Sequence, residues 1–330
     1  MRILVVGGAG YVGSHMTKLL GESGHEAVVL DNLSGGTREA VLGAELIVGD
    51  VADRGLLERV LGGRRFDGVM HFASSIQVGE SVAEPAKYYR NNVAGTLNLL
   101  ECMSRAGVLR LIFSSSAAVY GEPGGGPLEE DHVKAPLSPY GRTKWMVEQA
   151  LGDFDRAYGL RHSCLRYFNA AGADPAGLLG ECHEPETHLI PLALRAAAGR
   201  LPALPIFGTD YGTPDGTCIR DYVHVADLCR AHLLAMERLL GGAPSRAYNL
   251  GNGGGYSVRQ VVEAARRASG KPVPVLESGR RHGDPARLVA DARRARAELR
   301  WRPRYAELDA IVSHAWAWER RAVRRSSLPV

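Results

Sequence analysis

The chain has few cysteines, few aromatic residues and no apolar run of membrane-spanning length. Among its 330 residues there are five cysteines, and aromatic side chains make up 7%. The cysteines form no C-x-x-C pair and their number is odd, which favours free thiols in a reducing cytosol over a disulfide framework. A membrane helix needs about 20 consecutive apolar residues. We therefore expect a cytoplasmic protein without a membrane segment.

The sequence also has a small net charge and no recognised spacing of metal ligands. The 40 basic and 36 acidic residues leave a formal charge of +4, and the basic residues are scattered except near the C-terminus. No aromatic residues interleave with them as in a nucleic-acid site, so no nucleic-acid partner is expected. Cys182, His183 and His188 lie close together in the chain but lack a fourth ligand at a recognised spacing. We expect no metal site.

Short aliphatic runs alternate with helical patterns along the first half of the chain. Residues 2–6 form an unbroken aliphatic run, which is typical of a parallel strand buried on both faces. Further strands are predicted at residues 27–30, 45–48, 69–72 and 111–113, and helices at 11–23, 84–106 and 139–158. This β-α-β rhythm predicts an α/β fold with a doubly wound parallel Rossmann sheet.

The residue composition and the length of the helical patterns change after Asn169. Glycine and proline become frequent between Gly172 and Gly216, and the helical patterns shorten. We predict a dinucleotide-binding domain over residues 1–170, with a return segment near 221–250. Residues 171–330 are predicted to form a smaller α/β lobe that binds substrate.

A glycine-rich turn follows the first strand. Gly7, Gly10 and Gly13 satisfy the pattern G-x-x-G-x-x-G at the start of a predicted helix. Such a turn lets a pyrophosphate approach the backbone and the N–H groups of the helix. Asp31 ends the second strand, where a carboxylate accepts a hydrogen bond from a ribose 2′-OH and repels a 2′-phosphate. The sequence therefore predicts NAD rather than NADP. Asp50, after the third strand, is either an adenine neighbour or a simple turn residue.

Tyr140 and Lys144 are four residues apart on a predicted helix, which puts both on one helical face. A free phenol has a pKa of about 10, and a nearby cation favours its ionised form, as a general base requires. The run Ser114-Ser115-Ser116 ends a predicted strand, where ligands bind in this architecture. We predict Tyr140, Lys144 and Ser116 as catalytic residues for hydride chemistry at an alcohol or ketone.

These motifs, together with others along nearly the whole chain, resemble the extended short-chain dehydrogenase/reductase family. The further matching stretches are 113–121, 165–169, 207–211, 215–217, 220–225, 248–251 and 280–284. Within the family, the chain is similar to enzymes that invert C4 of a UDP-linked sugar, such as UDP-glucose and UDP-galactose. The resemblance implies a bound NAD that takes up and returns a hydride while Tyr140 removes and returns the proton of the 4-OH group.

The resemblance also implies the contacts of each ligand. The expected NAD contacts are Gly7, Gly10, Tyr11, Val12, Gly13, Asp31, Asn32, Asp50, Val51, Phe72, Ala73, Ser74, Asn91, Ser114, Tyr140, Lys144 and Phe168. The expected UDP-sugar contacts are Ser116, Tyr140, Tyr167, Asn169, His188, Leu189, Ile206, Phe207, Arg220, Arg281, Asp284 and Leu288. A homodimer formed through the helices near 84–106 and 139–158 is expected as well.

Residues at single positions favour or disfavour other activities that occur on this fold. Leu288 stands where some relatives carry tyrosine, so an N-acetylated sugar is a further expected substrate. Epimerisation of UDP-N-acetylglucosamine or UDP-xylose stays open. A 4,6-dehydratase or a decarboxylase would share the fold. The dehydratase uses an Asp-Glu pair after the strand, where this chain has Ala117-Ala118. A non-catalytic NAD sensor would have no need for the Ser, Tyr and Lys set.

Overall fold

A parallel sheet lies at the centre of the protein, whose computed structural model describes residues 1–122, 124, 126–281 and 284–326. The strands are β1 (Arg2–Val6), β2 (Glu26–Asp31), β3 (Glu45–Val48), β4 (Gly68–His71), β5 (Arg110–Ser116), β6 (Arg161–Tyr167), β7 (Asn169–Ala171), β8 (Leu204–Phe207), β9 (Ile219–Arg220), β10 (Tyr222–His224), β11 (Arg246–Leu250), β12 (Tyr256–Ser257), β13 (Val275–Ser278) and β14 (Arg287–Leu288). The α-helices are α1 (Tyr11–Glu22), α2 (Arg54–Gly62), α3 (Val78–Ala83), α4 (Pro85–Tyr88), α5 (Gly95–Ala106), α6 (Pro139–Tyr158), α7 (Leu189–Ala197), α8 (Val225–Leu240), α9 (Val258–Ser269), α10 (Arg293–Glu298) and α11 (Leu308–Ser326).

The strand order confirms the predicted doubly wound fold. Within the described residues, the central sheet has seven strands in the order β11-β6-β5-β4-β1-β2-β3, and every pair is parallel. The order reverses between β1 and β4, and ligands bind outside the carboxyl ends of strands at such a reversal. Strand β11 pairs with β6, so the chain returns to the central sheet late in the sequence. The division of the chain near residue 170 stays a prediction.

Apolar side chains cover both faces of this sheet. On one face, Met16 of α1 and Leu228 of α8 share a buried cluster with Val5. On the other, helices α2, α5 and α6 contribute buried side chains such as Leu99 and Val147. A sheet covered on both sides explains why its strands read as continuous aliphatic runs.

The second half of the chain forms smaller sheets and a separate apolar cluster. Strand β8 pairs with β13, β9 lies between β12 and β14, and β10 pairs with β7. Helices α7, α9 and α11 pack around a buried cluster that includes Leu194, Val261 and Ile311. No helix in the described part of the chain combines the length and apolarity of a membrane span.

Helix α6 has the predicted bounds because its ends are capped. The Ser138 hydroxyl accepts a hydrogen bond from the Gly141 N–H at 3.1 Å, and Pro139 occupies the first turn. Gly159 ends the helix with φ of 69°, a left-handed conformation that glycine adopts without a side-chain clash.

The predicted helix over 84–106 is interrupted. Helix α4 is followed by a π-helical turn over Tyr89–Ala94 before α5 begins. This turn carries Asn92, whose side chain accepts from the Ser75 N–H at 2.8 Å and donates to Thr143 Oγ1 at 3.2 Å. Such turns are frequent at functional sites. Here the turn links the segment after β4 to helix α6.

Buried histidines lead us to expect acid destabilisation. Burial lowers the pKa of His71 to about 3, of His15 to about 4, and of His232 to about 4. The unfolded chain binds protons below a pKa of about 6.5 that the folded protein excludes, so the free energy of unfolding should fall as pH decreases from about 6.5 towards 4.

Urea unfolding of the wild type and a His232→Phe variant between about pH 7 and 5 measures this effect. Removing one such histidine should reduce the slope of unfolding free energy against pH by up to about 1.4 kcal/mol per pH unit. Parallel slopes in the two proteins would contradict the expectation.

Candidate active site

The glycine-rich turn has the geometry of a phosphate cradle. Gly7 has φ of +81°, and a Cβ on it would lie 2.4 Å from the Ala73 nitrogen. A Cβ on Gly13 would lie 2.1 Å from the Gly7 oxygen, whereas one on Gly10 would meet nothing closer than 3.6 Å. Helix α1 begins after Gly10 without a side-chain cap. Its first N–H groups can therefore hydrogen-bond an anion that approaches over Gly10, which fits a dinucleotide pyrophosphate.

Asp31 is buried and held by two backbone groups at the end of β2. Its Oδ2 accepts from the Ala9 N–H at 2.9 Å, and its Oδ1 accepts from the Leu33 N–H at 2.8 Å. A carboxylate has about four acceptor sites, so two remain for ribose hydroxyls. The Asn32 amide donates to Asp50 Oδ2 at 2.6 Å. Two more of the predicted cofactor residues are thus in contact.

Most other predicted cofactor residues follow β1 and β4. The N–H groups of Phe72 and Ala73 both donate to the Val6 oxygen, at 2.7 and 3.0 Å. Val12 is partly buried against α8, and Val51, which follows β3, is buried under α5. Ser74 donates to the Ser75 oxygen, and Asn91 donates to Ser75 Oγ. The Tyr11 hydroxyl donates to the Gly172 oxygen at 2.7 Å, which ties the turn to the start of the second lobe.

The structure brings the predicted catalytic residues together at the carboxyl end of β5. Tyr140 and Lys144 are both buried on one face of α6. The ammonium of Lys144 donates to the Ser114 oxygen at 2.9 Å, and its Nζ is 5.8 Å from the centroid of the Tyr140 ring. Ser116 ends the strand and accepts from the Ala118 N–H at 3.1 Å. Serine, phenol and ammonium groups thus lie at the carboxyl end of β5, which only β4 separates from β1 and its glycine turn.

Burial shifts the pKa values of Tyr140 and Lys144 in opposite directions. Burial raises the pKa of Tyr140, and hydrogen bonding with Ser116 lowers it only in part. Burial also lowers the pKa of Lys144 to about 7, although the Glu148 carboxylate opposes that shift. That a lysine cation and a positively charged nicotinamide ring favour the ionised phenol stays a prediction.

The predicted diphosphate residues meet in the second lobe. The guanidinium of Arg220 lies 3.2 Å from Asp284 Oδ1. The Arg281 guanidinium carbon is 3.9 Å from the centroid of the Phe207 ring. Strands β14 and β9 pair in parallel with Leu288 opposite Arg220. Two segments, β9 and the stretch before β14, therefore place two cations and one carboxylate close together, a set of groups that suits a nucleoside diphosphate.

Leu288 connects this lobe to the catalytic strand. It is partly buried and packs against a cluster of Val119, Tyr120 and Leu128, as does Phe168. This cluster directly follows Ser116 in the chain. Leu288 thus lies near the end of β5.

The other predicted substrate residues are spread around the same region. Tyr167 ends β6, and Asn169 donates from its side chain to the Asp221 oxygen at 2.8 Å. Ile206 is buried in β8. His188 and Leu189 begin α7. Within the described residues, the His188 ring nitrogen contacts Glu181 and Glu186, and no hydrogen bond joins it to the other predicted substrate residues.

One functional element was not predicted from the sequence. Behind Lys144, the buried pair Glu148 and Arg166 is joined by a hydrogen bond of 2.9 Å from Nε to Oε1. Ser115 also donates to Glu148, and Arg166 donates to the Tyr120 hydroxyl at 2.9 Å. The available signals were a glutamate four residues after Lys144 and an arginine near the end of a buried strand. This network positions α6 against β5 and β6.

A Rossmann sheet with a glycine turn, an acidic residue after β2 and a Ser, Tyr and Lys set defines a dinucleotide-dependent enzyme of the short-chain dehydrogenase/reductase class. The model of the NAD dependent epimerase/dehydratase family matches residues 3–251, and the chain belongs to this family. That match confirms the resemblance found in the sequence.

Individual relatives match over nearly the whole chain. The UDP-glucose 4-epimerase of Azospirillum brasilense is 52% identical over 97% of this chain and 92% of its own length. The UDP-glucose 4-epimerase of Halalkalibacterium halodurans is 48% identical over 97% of this chain and 96% of its own. The crystal structure of UDP-glucose 4-epimerase from Brucella ovis in complex with NAD superposes with a TM-score of 0.94. It is 50% identical over 96% of this chain and 97% of that one.

Proposed function

We propose that the protein interconverts UDP-glucose and UDP-galactose by inverting C4 through a transient 4-keto sugar. One observation carries this proposal: Tyr140, Lys144 and Ser116 lie at the carboxyl end of β5, which only β4 separates from β1 and its glycine turn. An acid-base residue there acts on a hydroxyl that lies next to a bound dinucleotide. The relatives' names supply the identity of the sugar nucleotide.

Bound NAD would supply both the hydride acceptor and the hydride donor for C4 of the sugar, so the reaction would have no net redox change. We propose that Gly7, Gly10 and Gly13 cradle its pyrophosphate and that Asp31 accepts from the adenosine ribose. Lys144 uses one of its three N–H donors on the Ser114 oxygen. This is its one hydrogen bond within the described part of the chain, so the other two donors would be available to the second ribose.

Tyr140 acts as the base that removes the proton of the sugar 4-OH, and the same group returns it. Since burial raises its pKa in the protein alone, ionisation must be favoured by positive charge that arrives with the bound oxidised cofactor. Ser116 donates to the reacting oxygen. We expect the ionised phenol in the complex with NAD⁺ rather than in the free protein.

The nucleotide half of the substrate is held by charge and the sugar half by packing. We propose that Arg220 and Arg281 bind the diphosphate and that Asp284 accepts from the uridine ribose. Asn169, His188, Leu189, Ile206 and Phe207 line the UDP side, while Tyr167 and Leu288 border the sugar. The sugar must rotate between the two hydride transfers so that its opposite face meets the cofactor. A sugar that is held by few fixed contacts can rotate more easily, which favours catalysis.

The proposal is tested on the purified protein without added cofactor. Bound nucleotide is released by acid and identified, and UDP-galactose, UDP-N-acetylgalactosamine and UDP-xylose are assayed side by side. We expect NAD and fastest turnover of UDP-galactose. Turnover of UDP-xylose alone would favour the alternative pentose activity, and turnover of none of them would refute the proposal.

Leu288 should determine tolerance for an N-acetyl group. A leucine occupies less volume than tyrosine at a position next to the catalytic strand. We expect a Leu288→Tyr variant to lower kcat/KM for UDP-N-acetylgalactosamine at least about tenfold, the cost of roughly 1.4 kcal/mol of steric conflict. Turnover of UDP-galactose should change much less. Equal loss with both substrates would contradict this role.

We further propose a homodimer formed through the segment 84–106, which contains α4 and α5, and through α6. Leu100 and Leu151 are fully buried inside the protomer and are unavailable for it, but Met146 is 43% exposed on α6. A monomer mass in sedimentation equilibrium would contradict the dimer.

We also propose that the protein works in the cytoplasm. All five cysteines lie in the described residues and are free. A titration finding fewer than five thiols in the denatured protein would argue against that location.

A further inference from the structure

Four side chains from the segment before α7 converge on one point outside the predicted catalytic set. Glu181, His183, Glu186 and His188 each offer one ligand atom, and these atoms lie within 4.8 Å of one another. Glu181 Oε1 is 2.9 Å from His183 Nδ1 and 2.8 Å from His188 Nδ1. Glu186 Oε1 is 2.8 Å from the same His188 nitrogen. The Nδ1 atoms of His183 and His188 thus both contact Oε1 of Glu181, and that of His188 also contacts Oε1 of Glu186.

A second observation concerns the other oxygen of Glu186. This residue is only 8% exposed, and its Oε2 is buried without a hydrogen-bond partner. Its Oε1 already accepts from the Thr187 and His188 N–H groups, at 2.7 and 2.8 Å. A buried carboxylate oxygen without a partner is costly. Among the described residues, this oxygen therefore lacks a hydrogen-bond donor.

The charges of the cluster can be balanced in two ways. In the part of the chain that the structure describes, no lysine or arginine forms a salt bridge with Glu181 or Glu186. If each histidine took up a proton, the two positive charges would neutralise the two carboxylates. The protons on the Nδ1 atoms would then face the Oε1 atoms of the glutamates. Glu186 Oε2 would still have no partner. A single dication among neutral imidazoles neutralises the same charge and can also bind the remaining oxygen.

We propose that Glu181, His183, Glu186 and His188 form a binding site for one divalent transition-metal ion, for which Zn²⁺ is the best candidate. Zinc takes four nitrogen and oxygen ligands from histidine and carboxylate side chains. Imidazole ligands select against Mg²⁺ and Ca²⁺, which prefer oxygen. The four ligands of the pattern Glu-x-His-x-x-Glu-x-His do not include Cys182, which lies between Glu181 and His183. The expectation of no metal rested on the Cys182, His183 and His188 set, which left out both carboxylates.

The ion would fix the segment that leads into α7. The His183 ring lies edge-on to the Tyr11 ring with centroids 6.3 Å apart, and Pro185 accepts a hydrogen bond from the Gln77 amide at 3.5 Å. Four protein ligands leave no open position for chemistry, which is typical of a structural site. The metal would hold this segment against Tyr11, the first residue of α1.

Zinc content and zinc affinity test the proposal on the full chain. The protein is treated with chelator, dialysed and titrated with ZnCl₂ against a chromophoric competitor, and bound zinc is counted by mass spectrometry. We expect one ion per chain. Glu186→Gln and His183→Gln should each weaken binding at least about 100-fold, the upper end of the loss when an outer-sphere partner is removed.

Glu184→Gln is the matched control, because this glutamate lies in the same segment with its side chain 80% exposed and should leave the affinity unchanged. Co²⁺ titration of the wild type needs no variant and should produce the visible absorption of a low-symmetry four-coordinate ion. Absence of a stoichiometric ion in the wild type, or equal affinity in the ligand and control variants, would overturn the site. Epimerase turnover is a separate readout, so failure here leaves the proposed function untouched.

Discussion

Replacing Tyr140 with phenylalanine should lower the turnover number for UDP-galactose by about 10³-fold, within the usual contribution of a general acid-base group. The change removes only the hydroxyl. Tyr140 is buried beside Ser116, and no other phenol takes the same place on the face of α6 that carries Lys144. Bound NAD should stay at the wild-type stoichiometry, because the glycine turn and Asp31 are unchanged. Steady-state kinetics and nucleotide release after acid denaturation measure the two quantities.

Tyr158→Phe is the control for this substitution. Tyr158 ends the same helix but is 58% exposed, so its variant should turn over at the wild-type rate. Comparison of the two variants also separates an enzyme from a non-catalytic NAD sensor, which would bind NAD equally in both and show no turnover in either. A Tyr140→Phe variant with near wild-type turnover would refute the assigned role.

Replacing Arg166 with methionine should reduce the free energy of unfolding by about 3–5 kcal/mol, the usual cost of removing one partner of a buried ion pair. Arg166 is 4% exposed and Glu148 is 8% exposed. The substitution leaves the Glu148 carboxylate in a poorly solvated place with Ser115 as its remaining donor. Urea unfolding at constant pH measures the change.

Two further variants separate the buried charge from the general effect of substitution. Glu148→Leu combined with Arg166→Met removes both charges and should recover much of the lost stability, since a buried pair can be replaced by apolar residues at little cost. Arg161→Met on the same strand breaks a partly exposed salt bridge to Asp155 and should cost less than about 1 kcal/mol. Equal stability of the single and double variants at positions 148 and 166 would show that the buried charge is unimportant.

Features that depend on neighbouring positions in the chain were predictable. The aliphatic run of β1 and the glycines that follow it indicate a strand, a tight turn and a helix. Ser138, Pro139 and Gly159 mark the ends of α6. Local sequence suffices in these cases because caps, turns and periodic burial are short-range effects.

Features that depend on distant segments were not predictable. Glu148 and Arg166 become partners only when α6 packs on the sheet, and the approach of Arg220 to Asp284 requires β9 to pair with β14. The low pKa of Lys144 arises from burial on all sides, which no spacing of residues reveals. The interruption of the helix before α5 reflects the contacts of Asn92.

The sequence alone determined the fold class, the dinucleotide turn and the identity of the Tyr and Lys pair, because each is encoded within one short segment. The tertiary structure decided which charges are paired, which groups are buried and therefore which protonation states the site adopts. It also brought Glu181 and Glu186 around two histidines. These properties depend on the dielectric surroundings and on through-space distances, and both exist only after the segments have packed together.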